Sequence, residues 1–342
     1  MKLIKRPKPL DLLHKKVTLV RLDRLGDLIL SLPVDQMRVF GRSKVAWVVS
    51  EGLEFVAQQA RPPRDVWAWP KRVSLLGFYR LLSKVRAQKN DVVIIFHAPW
   101  WVSLLFWMAN VPWRIGVKSQ WHSYLFFNKA IRQKRSQALY HESEYNGRLV
   151  ADGLGIDFDV SQMGHLTLQT PAISPHAPYL VVHPGMGGSA RNWPSSYYAK
   201  LIQRLSEDMP VVLTASPAEQ EVLKAVLKHL SGSHPQIKSR ILQTPQEWME
   251  VLGGARAVVA PSTGTIHVAS SLGIPVVGIY SPVRVQAPKR WGPLGARAMT
   301  VVPEVECPGH MECLMEKCAR FDCMKDIDVD TVYEKVKLCL SN

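Results

Sequence analysis

The chain has 342 residues, enough for two domains that each bury their own hydrophobic core. Apolar residues make up 47% and charged residues 21% of the sequence, which excludes a disordered protein. The net charge of +15 is uneven, because residues 1–170 hold 26 Lys and Arg against 13 Asp and Glu, whereas the remainder holds 17 against 15. A basic first half predicts a polyanionic partner, such as nucleic acid, an anionic membrane or a phosphorylated acceptor; a solvated basic surface is the alternative.

The sequence contains no run of about 18 apolar residues, so we expect no membrane-spanning helix. The first ten residues lack the apolar core of a signal peptide. We therefore expect the protein to stay in the cytoplasm, where thiols are kept reduced.

Strands and helices alternate along the first half. The apolar segment Val17–Leu22 predicts a strand, and the turn Asp23–Asp27 leads into a helix predicted over Leu28–Phe40. The remaining elements expected here are strands at Val45–Val49 and Asp91–Phe96, and helices at Val73–Gln88, Trp100–Asn110 and Ser143–Leu154. The Trp-rich helix that begins at Trp100 is either a buried helix or one whose Trp side chains rest in a lipid headgroup region.

Three prolines within Thr170–Pro178 indicate a linker, after which the alternation resumes. The elements predicted beyond it are strands at Tyr179–His183, Val211–Thr214, Arg256–Ala260 and Pro275–Tyr280, and helices at Ser195–Asp208, Glu219–Leu230, from near Thr265, and at Val329–Leu340. The pattern predicts an α/β protein with two doubly wound, parallel-sheet, Rossmann-like domains that face a cleft. We expect an N-terminal domain over 1–170, a linker at 171–178, a C-terminal domain over 179–326, and a helix at 327–342 that packs back on the N-terminal domain.

A turn of small residues, Ser262-Thr-Gly264, separates a buried strand from the helix that begins near Thr265. Free N–H groups at a helix N-terminus and the positive end of the helix dipole suit phosphate. His267 lies in the first turn, where its ring could reach a bound anion. The alternative is an ordinary βαβ crossover with a core or surface histidine.

Three further clusters lie where a strand meets a helix. Asp27 is either a residue that favours the start of a helix or a catalytic base. The loop His183–Pro194 contains Gly185, which allows a close approach of the backbone to a ligand, and Arg191, a cation for phosphate or a solvated side chain. Glu219 is either the cap of the following helix or a ligand of ribose hydroxyl groups.

Together these motifs resemble glycosyltransferase family 9, the bacterial lipopolysaccharide heptosyltransferases. Asp23–Pro33 resembles the N-terminal signature of the family, and His183-Pro-Gly185 with Arg191–Pro194 is similar to its nucleotide-sugar loop. Ser262–His267 is similar to its pyrophosphate-binding element. The resemblance extends to Cys323–Ile327 and covers about residues 17–340. It implies a GT-B fold, an ADP-heptose donor and an anionic lipid A–Kdo type acceptor, with the protein peripheral to the inner membrane.

The resemblance also assigns roles to single residues. It makes Asp27 the general base, gives Arg191 a position usually held by lysine beside the leaving diphosphate, and makes Glu219 the ligand of the nucleotide ribose. The residues that it places at the donor diphosphate and sugar are Gly185, Ser262, Thr263, Gly264 and His267. The family's heptosyltransferases often carry Asp where this chain has Ser262, so the donor sugar stays open. The function implied is inverting transfer of a heptose or related sugar, in an N-terminal acceptor-binding and a C-terminal nucleotide-sugar-binding domain.

These residue types fit the chemistry of such a transfer. Fixed N–H groups, a helix dipole and Arg191 can stabilise the leaving diphosphate, and a carboxylate can supply base catalysis worth about 10²–10⁴-fold. Because no Asp-x-Asp pair follows a predicted strand, we expect neither a required metal nor any other cofactor. The cations Lys129, Arg132, Lys134 and Arg135 are predicted acceptor contacts, with a solvated loop as the alternative.

Four of the five cysteines cluster near the end of the chain, at Cys307, Cys313, Cys318 and Cys323. Their spacings are not the Cys-x₂-Cys pairs of a structural zinc site, and the expected cytoplasm disfavours disulfides. We expect buried free thiols, although His310 inside the cluster keeps zinc as an alternative.

Other function classes stay open on the residues alone. A family 9 transferase that uses another nucleotide sugar is one. A Rossmann dehydrogenase is another, but Val17–Asp27 lacks Gly-x-Gly-x-x-Gly. A non-catalytic protein that binds polyanions would fit the charge, but the sequence carries no nucleic-acid motif, and we expect no nucleic-acid partner.

Overall fold

The computed structural model describes residues 9–170, 177–188, 190–230, 232, 234–309 and 311–341. It divides into two compact units. The first comprises the described residues up to Lys134 together with Glu142–Leu166, and the second comprises Arg135–His141 and the described residues from Thr167 onward. The short segment 135–141 groups with the second unit, in which His141 Nε2 lies 2.9 Å from Gly292 O. Six of the eight predicted linker residues, 171–176, lie outside the described residues.

The first unit is a parallel sheet of six strands in the order β3-β2-β1-β4-β5-β6. The strands are β1 Lys16–Arg21, β2 Lys44–Ser50, β3 Val66–Trp69, β4 Val92–His97, β5 Trp113–Val117 and β6 Lys129–Ile131. The helices are α1 Leu25–Ile29, α2 Glu54–Gln58, α3 Leu75–Gln88, α4 Trp100–Met108, α5 Trp121–Phe126 and α6 Glu142–Leu154. Val20, Val48 and Val93, on adjacent central strands, are fully buried, as in parallel sheets covered on both faces.

The second unit repeats this plan in the order β12-β11-β10-β7-β8-β9, again all parallel. The strands are β7 Leu180–Val182, β8 Val211–Ala215, β9 Ile237–Ile241, β10 Ala257–Pro261, β11 Val276–Ile279 and β12 Ala298–Val301. The helices are α7 Ser195–Asp208, α8 Gln220–Leu227, α9 Pro245–Gly253, α10 Gly264–Ser271, α11 Pro288–Trp291 and α12 Val329–Ser341. The expected α/β class with two doubly wound parallel sheets is confirmed.

The last helix, α12, buries its apolar face in the second unit, and its packing on the N-terminal domain stays a prediction. Val332, Val336 and Cys339 of α12 belong to the core that α7 and the second sheet form. An amphipathic helix buries its apolar stripe on the nearest complementary surface, and this stripe fits the sheet that precedes it in sequence.

The helix predicted over Leu28–Phe40 is wrong, because the α-helix in the structure ends much earlier in the sequence. Helix α1 ends at Ile29, and two 3-10 turns follow at Leu32–Gln36 and Arg38–Phe40. Pro33 has no backbone N–H and lies in the first turn of the next element, so the α-helix ends before it. In the described residues, no helix is long and apolar enough to cross a bilayer.

Candidate functional site

The first candidate region lies where the connections of the first sheet change direction. Strands β2 and β3 extend to one side of β1, and β4, β5 and β6 extend to the other. At such a switch point the loops at the carboxyl ends of neighbouring strands separate and leave a crevice for ligands. Asp27 lies in α1, which follows the carboxyl end of β1 after three residues. The predicted base therefore lies at the switch point.

A buried guanidinium organises this region. Arg21, the last residue of β1, is 3% exposed, and its Nε donates to Asp23 Oδ1 at 2.8 Å. Its Nη2 donates to Asp27 Oδ1, and its Nη1 donates to Glu142 Oε1 at 3.5 Å. Glu142 is the first residue of α6 and is fully buried. One cation thus contacts three carboxylates, two of them within six residues of it and the third 121 positions away in sequence.

The same cluster tunes the acidity of Asp27. Burial raises the pKa of Asp27 to about 6, and the negative charges of Asp23 and Glu142 act in the same direction, while Arg21 opposes them. A carboxyl group with this pKa is mostly ionised at neutral pH, yet it holds a proton more tightly than an exposed aspartate. These are the properties of a general base that works near neutral pH.

Hydrogen bonds fix the helix that carries Asp27. Ser31 Oγ donates to Asp27 O at 2.7 Å, and Asn146 Nδ2 donates to Ser31 Oγ at 3.0 Å. The Asn146 amide oxygen in turn accepts from Arg21 Nη1 at 3.4 Å. Asp27 also lies in the first turn of α1, so its helix-start role and its place in the cluster coexist.

The second sheet has its own switch point between β7 and β10. His183 follows β7, and its N–H donates to Val259 O of β10 at 2.9 Å. Ser262 follows β10, and its N–H donates to Ile279 O at 3.1 Å. The two motifs singled out in this half, which begin at His183 and Ser262, are thus brought together at the carboxyl edge of adjacent strands.

Glu219 caps its own turn and also faces the first of these motifs. Its Oε2 accepts from Ser216 N at 3.0 Å and from Ser216 Oγ at 2.6 Å, in a capping box. The same oxygen lies 3.5 Å from His183 Nε2, and burial lowers the pKa of His183, so this imidazole is neutral at pH 7. A Cβ atom on Gly185 would strike the Glu219 carboxyl group. Gly185 is therefore required for the close packing of this loop on Glu219.

The turn before α10 presents donors as the sequence predicts. Thr263 is the N-cap of α10, but in the described part of the chain its side chain makes no capping hydrogen bond. The first N–H groups of the helix, which start at Gly264, are therefore left for another acceptor. His267 is 4% exposed, and its Nδ1 has no hydrogen-bond partner among the described residues. Burial lowers the pKa of His267 to about 3, and the nearby His141 adds to this effect, so the ring is neutral at pH 7.

Arg191 is held in place rather than solvated. Its guanidinium lies 4.1 Å from the centroid of the Phe321 ring, and its Nη2 donates to Phe321 O at 2.9 Å. Trp193 anchors the end of the loop, because its buried indole donates to Ile327 O at 2.9 Å. Arg191 Nε is buried and finds no acceptor among the described residues.

The four predicted acceptor cations belong to both units. Lys129 begins β6, with its ammonium 5.6 Å from the centroid of the Trp113 ring, and Arg132 and Lys134 are exposed in the first unit. Arg135 belongs to the second unit, where its carbonyl oxygen accepts from Arg290 Nη1 at 3.4 Å. The chain passes between the units here, which the run of like charges does not reveal.

The clustered cysteines are partly buried free thiols. Burial raises the pKa of Cys323, and the neighbouring thiols of Cys307, Cys313 and Cys318 add to this effect, so the four side chains lie near one another. Among the described residues, no group of three or more His, Cys, Asp or Glu side chains is placed to hold a metal ion. His310 lies outside those residues.

Comparisons with known proteins agree with these motifs. A Haemophilus influenzae protein named only as a glycosyltransferase is 27% identical in an alignment that covers 82% of this chain and 86% of that protein. Lipopolysaccharide heptosyltransferase 1 of Pseudomonas aeruginosa is 25% identical in an alignment that covers 95% of this chain and 94% of that enzyme.

The fold also matches a solved structure. The Escherichia coli ADP-heptose lipopolysaccharide heptosyltransferase II superposes with a TM-score of 0.76 over 95% of this chain and 98% of that chain, at 18% identity. This likeness confirms the GT-B type of fold expected from the sequence. The family model described as glycosyltransferase family 9 (heptosyltransferase) matches residues 78–319, more than half of the sequence. The chain therefore belongs to glycosyltransferase family 9, the heptosyltransferase family, and is a transferase.

Proposed function

We propose that this enzyme transfers a heptose, or a related sugar, from an ADP-sugar to a hydroxyl group of an anionic lipid A–Kdo type acceptor, with inversion at the anomeric carbon. The observation that carries the proposal is the environment of Asp27. A carboxylate with a pKa of about 6 lies at the switch point of its sheet, held by Arg21 and fixed through α1. The names of relatives that act on lipopolysaccharide and of a structural neighbour that uses ADP-heptose support the choice of substrates.

In this mechanism Asp27 accepts the proton of the acceptor hydroxyl group. At the same time the oxygen of that hydroxyl group forms the bond to the anomeric carbon. The bond between that carbon and the diphosphate oxygen breaks at the same time, and ADP leaves. A single displacement of this kind inverts the configuration at the anomeric carbon.

The leaving diphosphate gains negative charge as the bond breaks. The N–H groups at the start of α10, between Thr263 and Thr265, can donate to its oxygens, and Arg191 supplies a fixed positive charge. His267 contributes as a neutral donor, because its lowered pKa excludes the imidazolium form at pH 7. Ser262 is assigned to the donor sugar, and Gly185 to a close approach of backbone to nucleotide.

Glu219 is proposed to bind the ribose hydroxyl groups. Both of its capping bonds use Oε2. We assign the ribose contact to the other oxygen, Oε1, so that one carboxylate can cap the turn and bind the nucleotide. For the acceptor, we assign Lys129, Arg132 and Lys134 of the first unit and Arg135 of the second.

A panel of nucleotide sugars tests the donor. At about 100 times its Kd, a true donor should add roughly 2.7 kcal/mol of stability against thermal unfolding. When all the nucleotide sugars are compared at one fixed concentration, ADP-heptose should give the largest shift, because it should have the lowest Kd. A larger shift with another nucleotide sugar would identify that sugar as the donor in place of ADP-heptose. The serine at position 262 leaves this choice open.

The variant Asp27→Asn tests the base. It should keep the donor-induced shift and the fold but lose most turnover, by about 10²–10⁴-fold, because asparagine cannot accept the proton. Transfer is measured as ADP release with the lipid A–Kdo acceptor. Wild-type rates in this variant would remove Asp27 from the chemistry.

A further inference from the structure

Three helices of the first unit begin with an exposed apolar residue. Leu75 begins α3, Trp100 begins α4 and Trp121 begins α5, and their exposed fractions are 82%, 49% and 60%. Each helix follows a strand of the same parallel sheet, so all three N-termini lie at its carboxyl edge. Asp27 lies after β1 at that edge. An apolar surface thus shares the sheet edge with the proposed base.

Helices α4 and α5 carry five exposed large apolar side chains, defined here as the aromatic patch: Trp100, Trp107, Trp121, Tyr124 and Leu125. The ring centroids of Trp100 and Trp121 are 6.0 Å apart. The ring of Phe126 connects the others, at 6.3 Å from Trp121 and 5.8 Å from Trp107. Tyr124 and Leu125 are 60% and 64% exposed. Large apolar surfaces that stay exposed in a folded protein mark an interaction site.

The charges in the segment of sequence that carries the aromatic patch are almost all positive. Residues 66–134 contain eleven Lys and Arg and one acidic residue, Asp91, together with seven of the eleven tryptophans of the chain. Asp91 precedes β4, at the opposite edge of the sheet, where it pairs with Lys15 at 3.2 Å. The ammonium group of Lys118 lies 4.8 Å from the centroid of the Tyr124 ring. The patch therefore combines amphipathic aromatic rings with cations and no carboxylate beside them in sequence.

We infer that the aromatic patch binds the headgroup region of an anionic lipid bilayer. Trp and Tyr favour this region because each ring has an apolar body and a polar group, and Lys favours anionic headgroups. A second copy of this chain would bring the same cations together, so charge disfavours it as the partner. The inference rests on the proposed function in one respect, because a lipid-linked acceptor would be presented to Asp27 at this surface.

Vesicle flotation of the full chain tests the inference. Wild-type protein should float with phosphatidylcholine vesicles that contain phosphatidylglycerol and much less with phosphatidylcholine alone. The double variant Trp121→Ser, Leu125→Ser should lose at least about tenfold in partitioning, because each apolar side chain contributes on burial. Lys118→Gln should lose about fivefold. The matched control is Val160→Ser with Leu338→Ser, two exposed apolar residues outside the patch, which should float like wild type.

Unchanged flotation of the Trp121, Leu125 variant would overturn the inference. So would a variant that changes only the oligomeric state in solution, since the patch would then bind a second copy. Transfer to an acceptor fragment without acyl chains separates the two proposals, because this reaction should proceed at the wild-type rate in the double variant. Transfer without vesicle binding would refute the inference alone, and patch-dependent vesicle binding without any sugar transfer would refute the proposed function alone.

Discussion

The protonation of Asp27 sets the pH range in which the proposed base can work. Because its pKa is about 6, kcat/KM should fall about tenfold for each pH unit below 6 and reach a plateau above 7. Glu142 raises this pKa through its negative charge. The variant Glu142→Gln should therefore shift the acid limb of the profile to lower pH, so that it keeps a larger share of its maximal rate at pH 5 than wild type.

A neighbouring glutamate provides the control for this profile. Glu144 bonds to Arg148 at 2.7 Å on the same helix and takes no part in the Arg21 cluster. Glu144→Gln should leave the acid limb in place, which shows that the shift in Glu142→Gln does not arise from the loss of any one negative charge on α6. An unshifted limb in a folded Glu142→Gln variant would show that Glu142 supports the structure without tuning Asp27.

Arg191 offers a second test at the scale of one side chain. Arg191→Ala should lower kcat/KM by about 10- to 100-fold, the cost of losing a charged hydrogen-bond donor near the leaving group. Arg191→Lys should recover part of this loss, because lysine restores the charge but not the stacking on Phe321. Steady-state kinetics against the donor measures both. Equal rates in all three forms would mean that Arg191 only joins two loops.

The residues found from sequence and those missed differ in how local their signal is. Asp27 and Ser262–His267 each lie in one short motif between a strand and a helix, so a single stretch of sequence reveals them. Arg21 gives a weaker signal, a charged residue inside an otherwise apolar strand. Glu142 gives none, because its contact with Arg21 spans 121 positions of sequence.

Helix α12 shows how an element is fixed by the face it buries. Val336 is fully buried in the core of the second unit, whereas Leu338, on the same helix, is 47% exposed. Val336→Ala should destabilise the protein by about 1.5–3 kcal/mol. Leu338→Ala should change stability by no more than about 0.5 kcal/mol. Denaturant unfolding measures both, and comparable losses would mean that α12 is not held by its apolar face.

The same reasoning explains which elements were predictable. Long amphipathic helices such as α7 carry several turns of periodic signal, and Ser195–Asp208 is found with its correct bounds. Strands β5, β6 and β9 were missed because they are short and mix apolar residues with Arg, Lys, Gly or Ser. Their identity as strands comes from pairing with a neighbour already in the sheet, which is a tertiary interaction.

At the scale of the whole molecule, most of the positive charge of the first half lies within one shorter segment. Residues 66–134 alone carry a net charge of +10, against +13 for residues 1–170. The uneven division of charge between the two halves was visible in the sequence, but the exposure of the aromatic patch was not. A Trp-rich segment reads the same whether its rings are buried, as Trp101 is, or exposed, as Trp100 is. Only the packing of α4 on its sheet separates the two.

Buried titratable groups should give the two units opposite responses to pH. In the second unit, burial lowers the pKa of His267 to about 3 and lowers that of His183. These rings bind fewer protons folded than unfolded, so this unit should lose stability as pH falls from about 6.5 towards 3. In the first unit the pKa of Asp27 is raised to about 6, so its contribution is greatest below about pH 4 and is lost as pH rises through 6.

Hydrogen exchange, resolved by peptide, can follow each unit separately, with opening free energies corrected for intrinsic rates. His267→Gln should make the stability of the second unit less sensitive to pH between about 6.5 and 4, and leave peptides of the first unit unchanged.

Asp27→Asn should stabilise the first unit at pH 7, by on the order of 2 kcal/mol, because it removes a buried charge that the fold disfavours. A proposed base kept at such a cost is typical of functional sites, where activity and stability conflict. A first unit that is less stable at pH 7 with asparagine than with aspartate would show that the pair with Arg21 outweighs burial, and would remove the reason for assigning Asp27 a raised pKa.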